Sequence, residues 1–306
     1  MRVVNKNIRF GNSYNKMYYE QFGSYEEYLR VLEERNKTNA HNSNNKLEKL
    51  NDVDQRERNW YGVKSYDEAK NLLVNGWESQ VEYLKKRLMK EIDLCDDKKV
   101  TRMFNDVAGY MPIVPNAIMN LPIAMINQRT YKKKSRVIKF LIGMNRSCGY
   151  SSTEVIDKMS KILARIAILE KHGYRCRLEV FGAFHDGDED YKTIACHSVL
   201  IKSENQLFDL KRVAFPLAHT AMQRTFGFGW ENTVPLNYSE YHCGGLGRAV
   251  QYWNKKRRDD LLSAINENNE KLVYVSMDTN IEEMFGKDGE IMGWLIKKNL
   301  QKLYRF

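Results

Sequence analysis

The chain has 306 residues, enough for one large core or two smaller ones, and its 42% apolar and 29% charged residues exclude a disordered polymer. Lysine and arginine exceed the acids by ten, a balance that favours an anionic partner, nucleic acid included. No apolar run reaches the roughly 20 residues of a membrane-spanning helix, and Met1-Arg2-Val3-Val4-Asn5-Lys6 lacks the apolar core of a secretion signal. The expectation is a cytosolic protein with no membrane partner. The five cysteines (Cys95, Cys148, Cys176, Cys196, Cys243) are odd in number and none shares Cys-x-x-Cys spacing, which points to reduced thiols and not to a zinc ribbon.

Residues 1–35 read as an N-terminal helical segment. Ser24-Tyr25-Glu26-Glu27 is a capping box, so a helix starts near Tyr25 with Tyr28, Leu29, Val31 and Leu32 on its apolar face. The next stretch, 36–59, is dominated by Asn, Lys, Ser and Thr and reads as a linker or mobile loop. Residues 60–130 read as a helical subdomain and a proline-rich tie. The box Ser65-Tyr66-Asp67-Glu68 opens a helix that Asn75-Gly76 stops, and Trp77 starts another with Val81, Leu84, Leu88 and Ile92 at helical spacing. A glycine between two helices is commoner in plain bundles than in base-reading helix-turn-helix motifs. Pro112, Pro115 and Pro122 exclude a long helix across Met111–Met125, so this apolar segment is expected to lie on the main domain, with a short helix at Asn116–Asn120.

Residues 131–306 carry the α/β signature. The run Arg129 to Arg136, with Lys132, Lys133 and Lys134, fits a phosphate-binding patch, although short basic runs are commoner as solvated strand entrances. An apolar strand, Val137–Ile142, ends in the polar turn Gly143-Met144-Asn145-Arg146-Ser147-Cys148-Gly149. The box Ser151-Ser152-Thr153-Glu154 then opens a helix with an apolar stripe from Val155 to Leu169. A helix of that length returns the chain to a parallel strand, Cys176–Phe184. The Asp-Gly turn in His185–Asp190 makes the following strand, Thr193–Ile201, antiparallel. Next come a helix from Phe208 to Thr225 interrupted by Pro216, loops at Phe226–Trp230 and His242–Gly247, and a helix at about Arg248–Asn266. A strand ending in Asp278 and a closing helix complete the chain. The predicted class is α/β: a mostly parallel, Rossmann-like sheet flanked by helices.

The order of strand, loop with Gly143-x-Asn145-x-Ser147, helix, strand and antiparallel strand resembles the von Willebrand factor A-type fold. In that family the loop reads Asp-x-Ser-x-Ser and its oxygens hold magnesium or manganese. Here Gly143 stands where the aspartate would be and Asn145 where the first serine would be, while Ser147 remains, so no cofactor is expected and magnesium is the disfavoured alternative. Trp60-Tyr61-Gly62, Ser65-x-x-Glu68-Ala69, Asn75-Gly76-Trp77 and Ala108-Gly109-Tyr110-Met111-Pro112-x-Val114-Pro115 also resemble a family of tailed-phage proteins. That resemblance implies a phage or prophage origin, a place in the host cytoplasm or the virion, and no particular chemistry.

Three functions suit these residues. The preferred one is a non-enzymatic interaction module, with a role in the virion, in assembly or as an adaptor, that contacts a phage or host protein through Gly143, Asn145, Arg146, Ser147 and Asp278. In it Arg146 faces an anionic partner group. The second is a DNA- or RNA-binding protein that uses Lys132, Lys133, Lys134 and Arg136 with Lys255, Lys256, Arg257 and Arg258. The third is a metal-dependent hydrolase on His185, Asp186 and Asp188, although Asp-Gly-Asp turns are common without a metal and no His-Glu-x-x-His occurs. His197, mid-strand, is expected to be a hydrogen-bonded core residue.

Overall fold

The computed structural model describes residues 1–10, 13–38, 47, 60–93, 102–129, 137–146, 149–171, 174–185, 193–235, 255–266 and 272–281. The chain opens with an antiparallel hairpin, β1 (Arg2–Phe10) and β2 (Ser13–Phe22). Helix α1 (Tyr25–Thr38) follows, and the Ser24 hydroxyl accepts from the Glu27 amide at its start. Helices α2 (Tyr66–Asn75), capped by Ser65, and α3 (Glu78–Asp93) are the expected pair. Then come β3 (Arg102–Asp106), β4 (Met111–Pro112), α4 (Val114–Ile118) and β5 (Met125–Arg129). The central unit is β6 (Val137–Gly143), α5 (Ser152–Lys171), β7 (Arg175–His185) and β8 (Thr193–Lys202). Helix α6 (Leu210–Ala218), a π-helical turn (Met222–Gly227) and α7 (Phe228–Glu231) precede α8 (Lys255–Ile265) and β9 (Leu272–Val275).

Six strands form one sheet in the order β1-β2-β8-β7-β6-β9. The β2–β8, β6–β7 and β6–β9 ladders are parallel; β1–β2 and β7–β8 are antiparallel. The class is α/β, with a mixed sheet. Alternation along each strand divides its side chains between two cores. Ile138, Phe140, Ile142, Leu178, Val180 and Val199 join the larger core, with Leu29, Leu73, Leu84, Met159 and Phe215 from the helices. Leu141, Phe181, Ala183, Ile194 and Cys196 face the thinner core, which Ile8 of β1 and Leu261 and Ile265 of α8 complete. Burying one such side chain contributes about 1.5–3 kcal/mol, so strands covered on both faces anchor the sheet.

Four expectations are revised. Residues 2–22 form a hairpin and not the start of a helical segment; β2 inserts beside β8, with Tyr18 and Phe22 in one core and Met17 and Tyr19 in the other. Burial on both faces erases the polar alternation that marks a half-exposed strand. The segment expected as a linker from residue 36 begins inside α1, and Leu47 is a core residue whose amide donates to Asn36 Oδ1 at 3.0 Å; the rest of 36–59 lies outside the described residues. The proline-rich run builds a small antiparallel sheet of its own, in the order β3-β5-β4, and Val114, Ile118, Met119, Leu121 and Ile123 are exposed instead of covering the main domain. Phe226–Trp230, expected as a loop, is helical and buried, and Gly229 admits Leu47, whose Cδ2 would stand 2.9 Å from an added Cβ.

Candidate functional site

The chain leaves β6 through α5 towards β7 on one side, while β9 lies on the other side of β6. The carboxyl ends of β6 and β9 therefore flank a topological switch point, where open α/β sheets bind ligands. Gly143 ends β6 against Tyr274 of β9: a Cβ added there would lie 2.6 Å from the phenol oxygen. Met144 keeps the chain in the sheet by donating its amide to the Phe181 carbonyl at 2.8 Å.

Asn145 and Arg146 turn inward and are almost fully buried. Asn145 Oδ1 accepts from the Ala183 amide at 2.9 Å, fastening the loop to β7. The amide of Arg146 donates to Gln223 Oε1 at 2.9 Å, and Gln223 Nε2 donates to the Arg146 carbonyl at 3.3 Å. Gln223 reaches the loop from the π-helical turn, a form of helix that frequently marks functional positions. The Arg146 guanidinium donates to the carbonyls of Leu217 and His219, at the end of α6 where helical carbonyls lose their own partners. Burial, with the nearby Arg224 charge, lowers its pKa to about 10. Arg146 thus clamps α6, where the sequence reading turns it towards an external anion. His219 beside it accepts the Ala221 amide on Nδ1 at 3.0 Å, and burial with the charges of Arg146 and Arg224 lowers its pKa to about 4.

Above this buried layer lies an exposed rim. Tyr150 donates its hydroxyl to Asp278 Oδ1 at 2.6 Å, joining the β6–α5 loop to the turn after β9. That turn is pinned by the Ser276 amide, which donates to Thr279 Oγ1 at 2.8 Å, and by Lys158 of α5, which donates to the Thr279 carbonyl. Ser151 and Glu154 form the predicted capping box: the Ser151 amide donates to Glu154 Oε2 at 2.8 Å, and the Glu154 amide to Ser151 Oγ at 3.3 Å. Hydrogen bonds from Ser151 hold the Glu154 carboxyl below the usual range. Glu154 and Asp278 are exposed, so the rim offers carboxylate oxygens to a donor.

The structure brings Gly143, Asn145, Arg146 and Asp278 to one end of the sheet. Ser147 lies outside the described residues, as do Lys132, Lys133, Lys134, Arg136, Asp186 and Asp188. His185 ends β7, paired with Ile194 in the ladder. Lys255 to Arg258 open α8 over the thinner core, where the Arg258 guanidinium stacks over the Tyr274 ring, 5.8 Å from its centroid. Among the described residues no group of three His, Cys, Asp or Glu is placed to hold a metal ion.

Two arrangements escape the sequence reading because both depend on β2. Glu20, fully buried, accepts from Arg35 at 2.8 and 2.9 Å, from Trp230 Nε1 at 2.7 Å and from the Tyr18 hydroxyl. A cleft of about 330 Å³ opens at the carboxyl ends of β2 and β8, lined by Ser24, Glu26, Gln206 and Arg212 among others. The Gly11-Asn12 pair between two strand-like runs is the signal that finds this hairpin.

No curated protein and no solved structure matches this chain. The chain belongs to the family described as a domain of unknown function, DUF7192, whose model matches residues 4–289.

Proposed function

We propose that this protein is a non-enzymatic interaction module of A-type architecture, which meets its partner through the loops at the carboxyl ends of β6 and β9. The Tyr150–Asp278 hydrogen bond carries this reading. It joins the two loops into one exposed surface at the switch point, over a layer in which Asn145 and Arg146 bond to Ala183, Gln223, Leu217 and His219. The order β8-β7-β6-β9, with β8 antiparallel to its neighbour β7, supports the A-type architecture. Gly143 and the close approach of Tyr274 favour contact without a bridging ion. The exposed carboxylates make a cationic or N–H donor group the natural complement of the rim.

In this reading, which the resemblance to tailed-phage proteins suggests, the partner is a phage or host protein met in the virion or during its assembly in the host cytoplasm. Cross-linking and affinity capture from phage-producing cells tests the reading. An Asp278→Lys, Tyr150→Phe variant is expected to lose the captured protein while melting like the wild type. Undiminished capture by that variant removes the rim from the function.

A further inference from the structure

We propose that the small β3-β5-β4 sheet with α4 is a self-association surface, whose occupant is a second copy of this chain. Between Asp106 and Arg129 the sequence contains no charged side chain, although 29% of the whole chain is charged. The segment is nonetheless at the surface. Met111 is 46% exposed, Val114 59%, Ile118 76%, Met119 61%, Leu121 45% and Ile123 48%, and none of them belongs to either core. Val114 and Ile118 lie four residues apart on α4 and so share a face. Asn120, with φ 55°, turns the chain after this helix in the left-handed region that asparagine tolerates better than most residues.

Area and charge both indicate a second copy. Six residues of this size at these exposures together present on the order of 700 Å² to solvent, more than the scattered single apolar exposures of an ordinary monomer. It is close to the roughly 800 Å² that each partner brings to a standard interface. Two copies that each carry a formal net charge of +10 repel one another, and a segment without charge is where they can meet without like-charge contact. An apolar, charge-depleted surface is also the composition of homodimer interfaces, in contrast to the more polar surfaces of transient partners. β3 and β4 are the two outer strands of this sheet, on either side of β5.

Sedimentation equilibrium of the full chain at roughly micromolar concentration tests the proposal. The expected result is a species of twice the 36.0 kDa chain mass, halved in mass by Ile118→Glu and by Met111→Glu, and retained in Ile118→Leu. Both charged variants alter exposed positions, and far-UV circular dichroism confirms that each is folded. If one is unfolded, Met119→Gln takes its place. A wild-type monomer overturns the proposal. So does a dimer that survives the folded charged variants, since its interface then lies elsewhere or another protein occupies this face.

Discussion

Gly143 and Tyr274 exclude a side chain between them: the phenol oxygen of Tyr274 occupies the space that a Cβ on residue 143 would need, 2.6 Å away. The contact joins the last residue of β6 to its neighbour β9 at the switch point. A larger side chain here requires the Tyr274 phenol to shift. Gly143→Ala is expected to cost about 1–3 kcal/mol through overpacking. Because the nearest atom is the hydroxyl, Tyr274→Phe in the same background should recover part of that loss. Urea denaturation of the two single variants and the double variant gives the coupling; additive effects would show that the two side chains do not compete for this space.

Arg146 is predicted to act on stability. Its guanidinium spans two carbonyls at the end of α6, a geometry that the single ammonium of lysine does not reproduce. Arg146→Lys should lose about 1–3 kcal/mol, and Arg146→Glu, which buries an unpaired carboxylate, about 3–5 kcal/mol or more. Thermal melts check both. A fully stable Arg146→Glu protein would place the guanidinium in solvent.

Two buried histidines set an acid limit. Burial lowers the pKa of His197 to about 3, and burial with the Arg146 and Arg224 charges lowers that of His219 to about 4. Both remain neutral in the fold where an unfolded chain, with imidazole near pKa 6.5, takes up protons. The stability linked to them is complete above about pH 6.5 and is lost as pH falls towards 4 and then 3, at up to about 1.4 kcal/mol per pH unit for each histidine. Glu231, whose carboxyl burial pushes well up, acts in the opposite sense. Comparing wild type with a His197→Gln, His219→Gln double variant cancels that contribution. The double variant should show a shallower loss of stability between about pH 6.5 and 4.5; equal slopes would mean that the histidines titrate alike folded and unfolded.

Glu20 connects the N-terminal hairpin to the core. Its carboxylate receives Arg35, Trp230 and Tyr18, so Glu20→Ala strands a partly buried guanidinium and an indole N–H. The expected loss is about 3–5 kcal/mol. Amide exchange should report it first in β1 and β2, and a loss confined to the Gly143 end of the sheet would contradict this role.

The local alphabet of the fold is legible in the chain. Three Ser-x-x-Glu boxes mark the starts of α1, α2 and α5, because a hydroxyl and a carboxylate at that spacing satisfy helix amides whatever lies around them. The strand–helix–strand unit from Val137 to Phe184 and the antiparallel return at Thr193 follow from apolar periodicity and the Asp-Gly turn. Tertiary packing decided the rest. Burial on both faces made Ser13–Phe22 a central strand, since alternation loses its polar half when both sides are covered. Phe226–Trp230 is helical and buried, with Gly227 and Gly229 packed against Met144 and Leu47, contacts that no local rule reveals.

The same division holds at the turn after β6. Sequence alone determined its place at the end of an apolar strand, ahead of a capped helix, and the absence of the carboxylate at Gly143. Only the folded chain decided that Arg146 points inward and Asp278 outward, because that depends on the carbonyls α6 leaves at its end and on the strand β9 lays beside β6. A residue's type states which bonds it can make, and the partners that arrive from distant segments determine which it makes.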